Sequence, residues 1–394
     1  MADQAIDAHL KALPPESRPL EECIGQTLRQ DVYPERDNPP FDRVCMDGIA
    51  VHSDAMRRGL RQFRIEATQA AGRPALTLAD PDSAIEVMTG AMLPSGTNCI
   101  IPLEEYELGN GIVSLKPEAA GDAYRNVQRR GSDSAPGEPM LRSGAILGAP
   151  QIAVVASAGL AQVQVSRQPR LMVISTGDEL IEPGQPIAAH QVRRSNAYAV
   201  VAALRRRGFE QVGNDHLIDD EGKLRERLAQ HLGERDVLII SGGVSKGKFD
   251  LVPAVLKSLG VQEVFYKVAQ RPGMPMWFGA GPQGQMVFGL PGNPVSTLIC
   301  LIRYVTPALA AAMAADRQPP ELIALAASVK FHRSMTYFLP VAVQHDDTGR
   351  HCAVPRPANG PGDFLSLTHA DGFVELPPRE EAFPQDFVAS LYRW

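Results

Sequence analysis

Cysteine-based metal and disulfide chemistry has little to build on in this 394-residue chain. Its five cysteines, Cys23, Cys45, Cys99, Cys300 and Cys352, are scattered and form no C-x-x-C pair. They read as buried small hydrophobes rather than a disulfide framework or a zinc knuckle. The nine histidines are equally dispersed, and none makes H-x-x-x-H or H-E-x-x-H, so histidine-based catalysis has no support. Positive charge is also short. Lys plus Arg number 39 against 45 Asp plus Glu, a net −6, so nothing global attracts a phosphate backbone and any anion site must be assembled locally. Met1 to Glu16 is acidic and lacks a basic-then-apolar signal pattern. The longest apolar candidate, Ala149 to Val165, is broken by Gln151, Gly159, Gln162 and Gln164, short of the roughly 18–20 residues of a membrane span. The expectation is a cytoplasmic protein that binds neither nucleic acid nor membrane.

What the chain does have is 44% hydrophobic residues and enough length for two to four domains, with 34 Gly and 33 Pro pointing to many tight turns. From Leu171 to Ala315, β-rich runs alternate with helical ones, the pattern of a parallel sheet covered on both faces. Strands are expected at Leu171–Ser175, Gln211–Ile218, Asp236–Ser241, Glu263–Ala269 and Gln285–Gly289. Helices are expected at Asn196–Arg207, with Ser195 as N-cap, and at Glu221–Leu232, Leu251–Leu259 and Pro294–Ala314. Before this domain, short alternating segments such as Arg64–Ala67, Ala84–Met88, Thr97–Pro102 and Ile112–Leu115 predict a β-rich lobe. A Pro/Gly-punctuated connection and a buried helix at Gln151–Ala158 follow the lobe. After the linker Arg317-Gln318-Pro319-Pro320, strands are expected at Phe338–Val343, Gly372–Leu376 and Phe387–Tyr392.

In open α/β sheets, ligands bind beyond the carboxyl ends of the strands. Those ends read Thr176-Gly177-Asp178-Glu179, Asp219-Asp220, Ser241-Gly242-Gly243-Val244-Ser245, Gln270-Arg271-Pro272-Gly273 and Leu290-Pro291-Gly292-Asn293-Pro294. Glycine lets backbone N–H groups approach an oxyanion, and Asn293-Pro294 is an N-cap and N1 pair that offers the N–H groups of Val295 and Ser296. One such turn is ordinary capping; several at one sheet edge point to an anion site. Gly242 to Lys248 has the spacing of a phosphate-binding loop, but Phe249 stands where such a loop needs a hydroxyl for Mg2+. Glu179, Asp219, Asp220 and Asp250 lie near these ends beside Lys267 and Arg271. Each alone reads as a solvated loop residue, and Lys267 as a snorkelling strand residue. Together they fit a phosphate ligand bridged by a divalent cation.

These segments, with Pro39-Pro40-Phe41-Asp42, Met46-Asp47-Gly48, Met88-Thr89-Gly90-Ala91-Met92-Leu93-Pro94 and Arg130-Gly131-Ser132-Asp133, resemble the molybdopterin molybdenumtransferase family over nearly the whole chain. That family includes the bacterial MoeA proteins and the C-terminal domain of gephyrin. The resemblance implies a multidomain α/β plus β architecture. It has a central doubly wound, mostly parallel α/β domain of the molybdopterin-binding fold (169–316), an inserted β-rich lobe (40–133), an extended linking and dimerisation domain (1–39 with 134–168), and a C-terminal β-barrel-like domain (317–394). It implies a homodimer whose active site lies between the α/β domain of one protomer and the lobe of its partner. The implied reaction is insertion of molybdate into adenylylated molybdopterin, with Mg2+ and release of AMP. Molybdopterin adenylyltransferase and molybdoenzyme maturation proteins are the implied partners.

Carried onto this sequence, the resemblance assigns catalytic roles to Asp47, Thr89, Asp133, Glu179, Asp250, Lys267 and Arg271. It places substrate binding at Thr176, Gly177, Asp219, Ser241, Gly242, Gly243, Ser245, Pro291, Gly292, Asn293, Pro294 and Ser296, and the metal at Asp250 and Glu179. Three positions depart from the family. Arg271 stands where Lys is usual, Met274 replaces the second lysine of K-P-G-K-P, and Pro361 interrupts the C-terminal turn Asn359-Gly360-Pro361-Gly362-Asp363. The last two bear on oxyanion affinity and leave open a carrier that binds the pterin nucleotide without efficient metal transfer. A nucleotide hydrolase built on the near-match loop is the remaining alternative.

Overall fold

A computed structural model describes residues 1–243, 251–331, 334–360, 362–379 and 381–394. The lobe is a six-stranded sheet of Gly48–Val51 (β1), Gln62–Gln69 (β2), Ala84–Val87 (β3), Cys99–Pro102 (β4), Tyr106–Gly109 (β5) and Ile112–Leu115 (β6), in the order β4-β1-β3-β2-β6-β5. The central strand β1 is buried throughout, and its alternate residues feed two cores, Ile49 and Val51 on one face and Ala50 on the other. Outside the lobe, Pro15–Pro19 pairs antiparallel with Gln162–Ser166. Bridges Thr27–Ile146, Val32–Leu141 and Asn38–Ser134 tie the two flanking stretches together along their length. The helix within the second stretch, Ala149–Ser157 (α1), buries only Val155, so the expected buried helix is a surface one that packs through a single side.

The α/β domain carries Leu171–Thr176 (β7), Val212–Leu217 (β8), Val237–Ser241 (β9), Gln262–Tyr266 (β10), Trp277–Ala280 (β11) and Met286–Leu290 (β12), in the order β8-β7-β9-β12-β11-β10. β7, β9 and β12 are buried along their whole length and apolar up to the hydroxyl residues at the carboxyl ends of β7 and β9, as suits the centre of a doubly covered parallel sheet. β8 mixes in Asn214, Asp215 and His216 and takes the edge. The helices are Ser195–Arg206 (α2), Glu221–Glu234 (α3), Val252–Ser258 (α4) and the run Pro294–Ala312 (α5). Leu171 and Val173 pack with α2 and α5 on one face, Met172 and Ile174 with α3 and α4 on the other. Each fully buried Leu, Ile or Val contributes about 1.5–3 kcal/mol.

Several expectations need correction. β11 was not foreseen; it runs antiparallel to both neighbours, so the sheet is parallel only across β8, β7, β9 and β12. The predicted strand Glu263–Ala269 stops at Tyr266, and Lys267 lies beyond it with φ 73°. Gln270–Arg271 forms a separate short strand paired with the C-terminal domain. Ser195 is the first residue of α2; Arg194 occupies the N-cap, and no side chain caps the helix. The longest apolar helix is α5, 19 residues with mean hydropathy 1.6 over its most apolar window; 67% of that window is buried, as in a core helix.

The C-terminal domain is a closed barrel of Glu321–Leu325 (β13), Thr336–His345 (β14), His351–Pro355 (β15), Gly372–Leu376 (β16) and Val388–Arg393 (β17), in the order β14-β15-β13-β17-β16 with β16 returning to β14. Closure leaves no free strand edge within the ring. Gln270–Arg271 adds to β14 from outside, parallel, with Arg271 opposite Tyr337.

Candidate functional site

Chain order reverses at β7. β8 lies on one side of it and β9 on the other, with α2 and α3 on opposite faces, so a crevice opens beyond the carboxyl ends of β7 and β9. A cavity of about 410 Å3 occupies that crevice. Of the residues singled out in the sequence, Thr176, Glu179, Ser241, Gly242, Gly292 and Pro294 line it. Three buried oxygens among its lining residues, Ser175 Oγ, Thr176 Oγ1 and Asn196 Oδ1, have no hydrogen-bond partner. Buried polar atoms are nearly always paired, so three unpaired ones beside one cavity are a local departure from the rule. The turn after β9 comes very close to Thr176. A Cβ on Gly243, at φ 63°, would stand 2.4 Å from Thr176 Oγ1, so only glycine fits.

On the far side of the Pro291–Pro294 turn lies a second cavity, about 600 Å3, between the α/β domain and the barrel. Arg271, Pro291, Asn293 and Ser296 line it, with Met274, Met335, Tyr337 and Asn359. Asn293 takes the N-cap of α5 and Pro294 follows, as expected, although the Asn293 side chain makes no capping bond. Burial pushes the Tyr337 hydroxyl up from its ordinary value, while nearby Arg271 pulls the other way.

The remaining predicted residues are placed differently. Gly177 and Asp219 sit at the ends of β7 and β8 without lining either cavity; the Asp219 N–H donates to Asp178 Oδ1 at 3.0 Å. Lys267 lines neither cavity and stands 5.3 Å above the Tyr266 ring. Asp47, Thr89 and Asp133 lie in or beside the lobe, where three sequence motifs converge. The Thr89 N–H and hydroxyl donate to Asp47 Oδ1 at 2.6 and 2.7 Å and hold that carboxyl below its usual range. Gln128 Nε2 donates to both oxygens of Asp133 at 2.8 Å, and Arg43 in turn grips Gln128 Oε1. Ser245 and Asp250 lie outside the described residues. Among those described, no group of three or more His, Cys, Asp or Glu is arranged to hold a metal by itself.

Sequence reasoning missed Asn196, Arg194, Gln270 and Tyr337. Arg194, 5% exposed at the first cavity, pairs with Glu182 and Asn214 and leaves its Nε without a partner. The adjacent basic residues Arg193-Arg194 just before a helix were the available signal; Asn196 had none, since it reads as an ordinary first-turn residue.

Comparison with known proteins agrees with this layout. The profile of the MoeA N-terminal region (domain I and II) matches residues 1–159, that of a probable molybdopterin-binding domain 172–311, and that of the MoeA C-terminal region (domain IV) 323–385. A molybdopterin molybdenumtransferase of Synechocystis is 36% identical over 394 residues, covering 100% of this chain and 98% of its own. One from Haemophilus influenzae is 33% identical over 82% of this chain and 81% of its own. The crystal structure of a molybdopterin biosynthesis MoeA protein from Pyrococcus horikosii is 28% identical, with a TM-score of 0.78, covering 100% of this chain and 97% of that one. Fold and relatives thus define an enzyme of molybdenum cofactor biosynthesis. The chain belongs to the molybdopterin molybdenumtransferase family.

Proposed function

We propose that this chain inserts molybdate into adenylylated molybdopterin and releases AMP. The observation that carries the reading is the trio of unpartnered buried oxygens, Ser175 Oγ, Thr176 Oγ1 and Asn196 Oδ1, at a crevice where the strand order reverses. In this reading the first cavity holds the pterin nucleotide. The Gly242 and Gly243 backbone lies close to its phosphates, beside Arg194, whose charge is paired with Glu182 and whose Nε has no partner. The second cavity takes molybdate, with Arg271 as its cation and the free N–H groups of Val295 and Ser296 at the start of α5 facing the same charge. The Pro291–Pro294 turn separates the two ligands while keeping them adjacent.

The donor chemistry fits Mg2+. Glu179 borders the first cavity, with Asp178 and Asp219 at neighbouring strand ends, and Mg2+ needs only one or two carboxylates besides substrate phosphates. When bound, it would neutralise pyrophosphate charge; Glu179 and Asp250 are the residues to hold it. The homodimer completes the site in this reading, with Asp47, Thr89 and Asp133 acting on the partner's cavities. Its support is that these three line neither α/β cavity of their own chain. The four-part domain division carries over unchanged.

The test is incubation of purified protein with adenylylated molybdopterin, Mg2+ and graded molybdate while AMP is followed. Molybdate-dependent release supports transfer. Met274, an uncharged thioether in the molybdate cavity, favours the carrier as the second reading, and tight binding without release would establish it. Hydrolysis of ATP or GTP alone would overturn both.

A further inference from the structure

Helix α5 is interrupted at Leu301–Val305 by a π turn, which lies against the segment Gln270–Gly273. An extra residue in a helical turn re-aims the side chains around it, and such turns recur at functional sites. Here the re-aimed side chains are Cys300 and Tyr304, both buried, and both reach the same group, the carboxamide of Gln270. Gln270 is itself only 1% exposed. The Tyr304 hydroxyl donates to Gln270 Oε1, while Gln270 Nε2 donates to the Gly273 carbonyl at 3.1 Å and stands 3.3 Å from Cys300 Sγ.

Every polar atom of this carboxamide is engaged, so it has one orientation. It spans the turn from Gln270 to Gly273, with Arg271 between. The turn is packed directly on the network: a Cβ on Gly273, at φ 91°, would stand 2.7 Å from Cys300 Sγ and 2.8 Å from Gln270 Nε2. The helix that begins by walling both cavities therefore returns, two turns later, to grip the segment that carries Arg271 to the second cavity.

We propose that Gln270 and Tyr304 are positioning residues that fix Arg271 at the second cavity and so set the affinity for the oxyanion substrate. The proposal rests on the reading of that cavity given above. A purely structural network predicts instead that stability and turnover fall together, with no selective effect on the oxyanion.

Four proteins separate these outcomes: the unmodified chain, Tyr304→Phe, the double variant Gln270→Met with Tyr304→Phe, and Arg271→Ala. For each, the melting temperature, the affinity for adenylylated molybdopterin and the molybdate concentration for half-maximal AMP release are measured. Tyr304→Phe is expected to raise the molybdate requirement about tenfold, the scale of one hydrogen bond, at unchanged affinity for adenylylated molybdopterin. The double variant removes the orphaned Gln270 Oε1 but leaves the Gly273 carbonyl without its donor, so it is expected to keep the raised requirement whatever its melting temperature. A requirement that stays at the unmodified value in Tyr304→Phe, or that recovers in step with melting temperature in the double variant, overturns the proposal. If Arg271→Ala leaves the molybdate response intact, the reading of the cavity itself fails, and the positioning role with it. Should Tyr304→Phe not fold, Cys300→Ala loosens the other side of the same carboxamide; about a threefold rise is expected on a fraction of one hydrogen bond, and no rise overturns the proposal.

Discussion

Asn196 donates from Nδ2 to the carbonyl of Gly292 at 2.7 Å across 96 residues of sequence, and the same nitrogen reaches Ser241 Oγ at 3.1 Å and Thr297 Oγ1 at 3.3 Å. One side chain thus ties the start of α2 to the end of β9 and the start of α5. Asn196→Ala is expected to cost about 1–3 kcal/mol of stability and to weaken binding of adenylylated molybdopterin. Asn196→Asp should be worse, because a carboxylate cannot donate to Gly292. Urea unfolding and equilibrium binding check both.

Met274 is 40% exposed at the wall of the second cavity, so a longer charged side chain has room there. Met274→Lys is expected to lower the molybdate needed for half-maximal AMP release about tenfold, a heavily discounted share of one added charge on a dianion. If that variant changes nothing while Lys246→Ala or Lys248→Ala sharply weakens the molybdate response, the glycine loop supplies the charge instead. No effect in any of the three displaces the oxyanion from this cavity.

Asp236 at the start of β9 is half-buried, which pushes its carboxyl up, yet Arg167 and Arg170 outweigh that and hold it far below the usual range. Because its native value is depressed, the stability it supplies is complete above the unfolded value of about 3.9 and is lost as pH falls below that toward the native value. Asp236→Asn should therefore lower the melting temperature at pH 7 and flatten its dependence on pH below about 4. An unchanged acid limb would remove this pair from the account.

Asp250→Ala is expected to abolish Mg2+-dependent turnover with the fold intact, as read by circular dichroism. Asp47→Ala, which removes the carboxylate held by Thr89, should be inactive as well. If lobe and α/β domain act across a dimer, mixed subunits of the two variants recover part of the activity; proven heterodimers with none would place the whole site in one chain.

Much of the first cavity was legible because its residues follow strands, and strand ends can be read from apolar runs such as Leu171–Thr176 and Val237–Ser241. What escaped was tertiary. Trp277–Ala280 is a four-residue strand without a pattern of its own, fixed by pairing on both sides. Gln270–Arg271 looked like the tail of a sheet strand because nothing local announces that Thr336–Tyr337, 66 residues on, pairs with it. Asn196 and Tyr304 carry no local signal either: one reads as a helix start and the other as core. Asp47, Thr89 and Asp133 could be carried over from motifs, but the hydrogen bonds that hold them, from Thr89 to Asp47 and from Gln128 to Asp133, show only once the lobe is folded.

The pairing of Gln270–Arg271 with a barrel strand also orders events during synthesis. A ribosome delivers residues 171–312, and with them most of the first cavity's wall, before the barrel residues Tyr337 and Asn359 exist. The wall of the first cavity can therefore form before the chamber beside it is complete. The second cavity closes only when the barrel docks, which makes its formation a report that the barrel strand carrying Tyr337 has been made and folded.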